Sequence, residues 1–217
     1  MSERGRFLTM EGIEGVGKST QVAQLSQSLT ERGIAHELTR EPGGTPLAEK
    51  IRELVLTPGA EALPDAAELL LMFAARSVHL ENFIRPHLAA GRWVICDRFT
   101  DATYAYQGAG RGFSTDSIGQ LESLVQGARR PDLTLLLDAP AAAGLERARA
   151  RNAQAGRAMA GDRFERERIE FFERVRAGYL SRAAAEPERI AVIDATRRAG
   201  EVARDILQIL RARSWIS

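Results

Sequence analysis

A chain of 217 residues, 44% hydrophobic and 27% charged, carries enough apolar material to bury a core in one soluble globular domain. A formal net charge of +1 gives no reason to expect a general surface for nucleic acid or for an anionic membrane. A lone cysteine, Cys96, excludes an internal disulfide and suits a reducing cytoplasm, and no stretch approaches the roughly 18 uncharged apolar residues of a membrane helix.

The amino end, Met1-Ser2-Glu3-Arg4-Gly5-Arg6, runs straight into an apolar strand, Arg6–Glu11, and is expected to leave no room for a signal peptide. Gly12-Ile13-Glu14-Gly15-Val16-Gly17-Lys18-Ser19 then satisfies every required position of the phosphate-binding pattern G-x-x-x-x-G-K-[ST]. Thr20 to Arg32 reads as the helix that must follow it. Glycines at this spacing let amide N–H groups turn inward onto a polyphosphate, and the helix adds the positive end of its dipole. Lys18 can reach the β- and γ-phosphates, and the Ser19 hydroxyl can ligate Mg²⁺. Lys18 and Lys50 are the only lysines, so a lysine here is no random basic residue.

A second strand, Ala35–Thr39, runs into Thr39-Arg40-Glu41-Pro42-Gly43-Gly44-Thr45. Thr45 reads as an N-cap and Pro46 as the first residue of a helix through Val55. Pro64-Asp65 opens a long apolar helix to about Phe83, which Pro86 is expected to break or kink before Gly91 ends it. Within that helix Arg76 interrupts the hydrophobic face and requires a partner or a polar pocket. Met72 and Phe73 precede it by four and three residues, so one of them shares its face. The strand Trp93–Asp97 closes on Asp97-Arg98-Phe99. Thr103, Tyr104, Tyr106 and Gln107 then form a polar-aromatic cluster ahead of Gly108 and Gly110. A helix begins at Ser114-Thr115-Asp116 and stops near Gly127; strands follow at Leu133–Asp138 and Ile190–Ile193. Asn152 to Gly161, small, polar and flanked by arginines, reads as an exposed mobile loop. His36, His79 and His87 are scattered and read as structural or surface residues.

Strands spaced by helices predict a three-layer α/β fold with a five-stranded parallel sheet. One domain is expected over 1–217, with a short mobile lid at about 151–163. Parallel strands present their carboxyl ends on the edge that carries the phosphate loop. Arg40 and Arg98 are thus neighbours of a γ-phosphate, suited to a second anion. The Asn-Lys-x-Asp segment of guanine-specific proteins is absent. The residues alone leave open a nucleotide kinase, a nucleoside kinase with Glu14 as the base, and a regulator that binds nucleotide without transfer.

Glu11-Gly12-x-Glu14-Gly15-x-Gly17-Lys18, Arg40-Glu41-Pro42-Gly43-Gly44-Thr45, Phe73-Ala74-Ala75-Arg76, Asp97-Arg98-Phe99, Tyr104-Ala105-Tyr106-Gln107-Gly108 and Arg130-Pro131-Asp132-Leu133-Thr134 resemble the bacterial thymidylate kinases, from about Arg6 to Asp194. The resemblance implies a P-loop NTPase fold, the reaction ATP + dTMP → ADP + dTDP on the route to dTTP, Mg²⁺ as cofactor, a cytoplasmic location and a homodimer. It further implies that Gly12, Ile13, Glu14, Gly15, Val16, Gly17, Lys18, Ser19 and Thr20 bind ATP. Arg98 would clamp the dTMP phosphate with Arg40 as a second contact, and Glu14 would orient the sugar. Arg76, Thr103 and Gln107 would read thymine, Tyr106 would crowd the ribose 2′ position, and Phe73 would cover the base. Ser19, Asp97 and Glu165 are the implied metal neighbours. Lys18, Arg98 and Glu14 are the implied catalytic residues. They are joined by lid arginines, of which Arg151 and Arg157 are favoured, because Gly15 stands where some relatives carry an arginine in the loop. The chain departs from the family where a stacking phenylalanine is common four residues before the base-reading arginine: Met72 stands there, with the ring at Phe73. The long helix Ala66–Phe83 offers a dimer face.

Overall fold

Apolar runs become strands because both of their faces are covered. The computed structural model describes residues 5–59, 61–154, 164 and 167–217. Its strands are β1 (Phe7–Glu11), β2 (His36–Arg40), β3 (Trp93–Asp97), β4 (Leu133–Asp138) and β5 (Ile190–Asp194). They pair in parallel in the order β2-β3-β1-β4-β5. All five strands lie where the sequence predicts them, within one residue at either end. β1 is buried along its whole length and β3 and β4 nearly so, as unbroken apolar runs in a doubly covered parallel sheet should be. Leu8, Met10, Ile95 and Leu135 belong to the main core, while Phe7, Val94, Cys96 and Phe99 pack in a separate cluster. Cys96 is a buried free thiol, as expected, and donates to the Arg98 carbonyl at 2.9 Å.

The helices are α1 (Lys18–Glu31), α2 (Pro46–Leu56), α3 (Asp65–His79), α4 (Arg85–Ala89), α5 (Thr100–Thr103), α6 (Thr115–Gln126), α7 (Ala141–Gln154), α8 (Ile169–Ala185) and α9 (Ala199–Ala212). Thr45 caps α2 by accepting the Ala48 N–H at 3.3 Å, with Pro46 in the first turn. Ser114 caps α6 in the same way, through Ser117 at 3.1 Å.

Pro86 does not break the long helix. A wide π turn, Leu80–Ile84, joins α3 to α4, with the Arg85 N–H on the Leu80 carbonyl. The extra residue in that turn sets Pro86 in the first turn of α4, where a missing N–H costs no hydrogen bond. A second π turn, Tyr104–Gly110, carries the polar-aromatic cluster after α5. The register sets Met10 and Arg40 beside Asp97, so the carboxyl ends of β1, β2 and β3 line one edge. The expected lid and loop start too early, since residues 151–154 continue α7, and the remainder, 155–163, lies outside the described residues. Among the described residues no helix is long and apolar enough to cross a membrane.

Candidate active site

The chain leaves β1 and turns through Gly15 (φ 73°) and Gly17 (φ 98°) before α1 begins. Gly17 caps α1 with no side-chain hydrogen bond, and the first turn holds no acidic residue. Nothing on the side chains therefore competes with an anion for the N–H groups and positive dipole at this helix end. Lys18 Nζ donates to the carbonyls of Gly12 (2.9 Å) and Ile13 (2.8 Å) and so lies across the loop. Burial, with Arg98 nearby, pulls Lys18 down to about 8. A polyphosphate in the loop would supply the opposing charge that reverses this shift.

Arg98 holds a left-handed backbone conformation, φ 71°, rarely adopted by a long side chain. Its N–H bonds the Met10 carbonyl at 3.0 Å, which seats it between the ends of β1 and β3. Nη1 donates to the Gly12 carbonyl (2.8 Å) and the Tyr179 hydroxyl (3.1 Å), and Nη2 donates to Glu14 (2.8 Å). The Tyr106 hydroxyl donates to both Glu14 oxygens, at 2.8 and 2.7 Å, and its ring lies 4.8 Å from the guanidinium. Tyr179, on α8, donates to Glu11 at 2.7 Å, and the Phe99 N–H takes the other Glu11 oxygen at 2.7 Å. Burial, reinforced by the charge of Asp101, pushes Glu11 up to about 8. Two tyrosines and two glutamates thus hold one guanidinium beside the phosphate loop.

Arg76, only 3% exposed, finds its partner in Glu41: Nε donates at 2.7 Å while Nη2 donates to the Phe99 carbonyl at 3.2 Å. The second Glu41 oxygen meets His79 Nδ1 at 3.0 Å, and His79 Nε2 meets Thr39 at 2.7 Å. His79 is structural, as expected. Among the described residues, three buried polar atoms at this end have no partner: Arg76 Nη1, Thr103 Oγ1 and Gln107 Oε1. Buried polar groups are ordinarily paired. A cleft of about 370 Å³ is lined by Lys18, Ser19 and Asp97 and also by Met72, Tyr106 and Gln107.

A family model described as thymidylate kinase matches residues 10–206. Thymidylate kinase of Teredinibacter turnerae is 54% identical over 96% of this chain and 98% of its own. That of Chromohalobacter salexigens is 56% identical over 97% of this chain and 98% of its own. The chain belongs to the thymidylate kinase family. A crystal structure of thymidylate kinase from Ehrlichia chaffeensis matches the fold with a TM-score of 0.75 at 34% identity, covering 96% of this chain and 99% of that one.

Most of the residues that the thymidylate kinase resemblance singled out meet in the cleft. Glu14, Gly15, Gly17, Lys18, Ser19 and Thr20 line it from the loop, and Arg40, Asp97, Arg98, Tyr106, Gln107 and Arg151 line it from elsewhere, whereas Gly12, Arg76 and Thr103 are not part of its lining. Arg40 is half-exposed and donates to Glu49 at 3.0 Å. Ile13 and Val16 bury their side chains in the core and offer the loop only their backbone. Arg157 and Glu165 lie outside the described residues. Phe73 requires a correction. Its ring packs with Leu69, Tyr104 and Ile118 and is 2% exposed, so it does not line the cleft. Met72 lines it instead. The helical step of about 100° separates the two positions, and the apolar cluster claims the ring; Phe73 instead lies 4.9 Å beneath the Arg76 guanidinium.

Sequence reasoning missed Arg52, which lines the cleft and donates to the Pro42 carbonyl at 2.7 Å. It also missed Glu41, Glu68 and Tyr179 as partners of site residues. Glu41 lay inside a quoted motif, and buried Arg76 needed an anion, so this pair was within reach of the sequence. Tyr179 left no signal beyond an aromatic residue in a helix.

Proposed function

We propose that this crevice transfers the γ-phosphoryl group of ATP to the phosphate of dTMP, yielding ADP and dTDP. A dTMP phosphate oxygen bonds to the γ-phosphorus as the bond to the β,γ-bridging oxygen breaks, and ADP leaves with that electron pair. The acceptor oxygen is already anionic, so no strong base is needed. The task is to hold two anions together and stabilise a loose transition state. Lys18 and the N-terminus of α1 hold the β- and γ-phosphates. Arg98, fixed by Glu14 and Tyr179, draws the dTMP phosphate toward them, with Arg40 as a second cation. Arg151 meets the transferring group from the lid side, and Arg157 is the further candidate that the resemblance names.

Ser19 and Asp97 bring hard oxygen donors into the cleft. Among the described residues no group of three or more His, Cys, Asp or Glu forms a metal cage. This donor set fits Mg²⁺ that arrives on ATP and keeps most of its ligands from phosphate and water; Glu165 is the further ligand that the resemblance names. Bound there, it would neutralise charge on the β- and γ-phosphates.

The observation that carries the reading is the unpaired set Arg76 Nη1, Thr103 Oγ1 and Gln107 Oε1. Each such buried atom costs about 1–3 kcal/mol if left unanswered. A thymine ring answers a donor with its O4 and an acceptor with its N3–H. In this reading Met72 covers the base, and Tyr106, held by Glu14 at the cleft, crowds the ribose 2′ position and favours deoxyribose. Coupled ADP release with dTMP, dUMP, dCMP, dAMP and thymidine tests this, with dTMP expected to be the preferred acceptor. Turnover of thymidine but not dTMP would instead make Glu14 a general base. Its two oxygens, engaged by Arg98 and Tyr106, speak against that role.

The same reading makes residues 1–217 one kinase domain, a cytoplasmic enzyme with small-molecule substrates and no nucleic-acid or membrane partner, in line with the net charge of +1 and the free Cys96. It also makes the enzyme a homodimer. α3 and α6 pack together and expose Leu70 (57%) and Leu124 (81%), which a second copy would cover. Leu124→Arg should shift the sedimentation coefficient to that of a monomer; an unchanged value would remove α6 from the interface.

A further inference from the structure

We propose that Glu68, a buried side chain of α3 that does not line the cleft, sets the enzyme's pyrimidine preference by holding the Gln107 amide in one orientation. The inference rests on the base-reading role given to Gln107 above. A glutamine amide is nearly symmetric in shape but not in chemistry: one end only donates, the other only accepts. Left free, it could turn over and satisfy either of two bases. Glu68 prevents this. It is fully buried and takes Gln107 Nε2 at 2.6 Å. A carboxylate has no proton to give, so turning the amide would bring two acceptor oxygens together at that distance. Arg111 Nη2, 3.5 Å from the second Glu68 oxygen, supplies the opposing charge and is itself tied to Asp65 and Glu167.

The consequence is a pocket of fixed polarity. Gln107 Oε1 is the end left buried and unpartnered. Arg76, with Nε on Glu41 and Nη2 on the Phe99 carbonyl, leaves Nη1 as an unpartnered donor. One donor and one acceptor match O4 and N3–H of thymine. Cytosine has the same ring shape but the opposite edge, an amino group where thymine has O4 and a bare N3. Its donor would face Arg76 and its acceptor would face Gln107. The Thr103 hydroxyl can rotate to either role and does not discriminate. Arg76 can never accept, whereas Gln107 is prevented from donating to the base only by its partner. Glu68 is therefore a positioning residue, and the discrimination at N3 depends on it.

The test is the ratio of kcat/KM for dTMP to that for dCMP. Glu68→Gln keeps the shape, leaves Arg111 its bridges to Asp65 and Glu167, and frees the Gln107 amide to turn. The ratio is expected to fall about tenfold or more, since a mismatched buried polar pair normally carries large selectivity. The double variant E68Q/Q107E reverses the pair: the new amide at 68 donates to the new carboxylate at 107, whose other oxygen again faces N3–H. It should recover most of the ratio. A merely structural role for Glu68 would lower both substrates alike, leave the ratio unchanged and gain nothing from the double variant; that result overturns the proposal. If Gln107→Leu leaves the ratio of the unaltered enzyme untouched, the base-reading role of Gln107 itself fails, a distinct outcome that removes the proposal at its premise.

Discussion

Replacing Arg98 with alanine is expected to lower kcat by ~10³-fold or more while ATP affinity changes by less than about tenfold. The guanidinium sits where an acceptor phosphate must enter, beside the loop that holds the donor. Three of its N–H donors are taken by Gly12, Tyr179 and Glu14, and among the described residues the rest stay available for a phosphate. Those three bonds fix the plane of the fork, so the side chain need not be ordered when substrate arrives. Its strained backbone, φ 71°, is the cost of aiming it there from the end of β3. Lysine cannot replace it, because one ammonium cannot reach Glu14 and Tyr179 and still present a flat pair of donors. Stopped-flow single turnover and ATP titration measure the two quantities separately. A normal kcat in Arg98→Ala would end the role assigned to it, and equal losses in ATP binding and kcat would make it a structural brace for the loop.

Gly15→Ala should cost the fold roughly 2–5 kcal/mol and reduce kcat/KM for ATP about 100-fold or more. A Cβ at Gly15 would stand 1.8 Å from the Gly144 carbonyl oxygen, and φ is 73°. The contact is reciprocal, since a Cβ at Gly144 would stand 2.5 Å from the Glu14 carbonyl oxygen. Both obstacles are backbone atoms and cannot swing aside. The phosphate loop therefore rests directly on α7, the helix that leads to Arg151. An arginine at this loop position cannot be introduced without displacing α7, which is the physical reason for looking to Arg151 for that charge. Thermal unfolding and initial rates at varied ATP test the point. A Gly15→Ala enzyme of unaltered melting temperature would mean that α7 yields easily.

Local chemistry and tertiary contact divide the account between them. Thr45-Pro46, Ser114 and the five apolar runs were legible because caps and strands follow from neighbours a few residues away. Of the break or kink expected at Pro86 the break is absent, since a π turn between α3 and α4 sets the proline in a first helical turn, an arrangement that local propensity does not announce. Phe73 was misplaced for a related reason: helical spacing leaves open whether it or Met72 shares the Arg76 face, and only the cluster around Leu69 and Ile118 draws the ring inward. Arg52 was overlooked because an arginine on an amphipathic helix carries no mark of the cleft that it borders.

From its sequence alone the chain determined a phosphate-binding loop, a parallel α/β sheet and the gathering of Arg40, Asp97 and Arg98 at one edge. Those features obey short-range periodicity, and parallel pairing then brings strand ends together without further instruction. Tertiary structure alone decided which anion would hold Arg76, how Tyr179 would reach Glu11 across 168 positions, and which end of the Gln107 amide Glu68 would claim across 39. Hydrogen bonds between distant residues in a dry interior settle such choices, because there an unpaired polar atom is costly and no repeat in the chain encodes its partner.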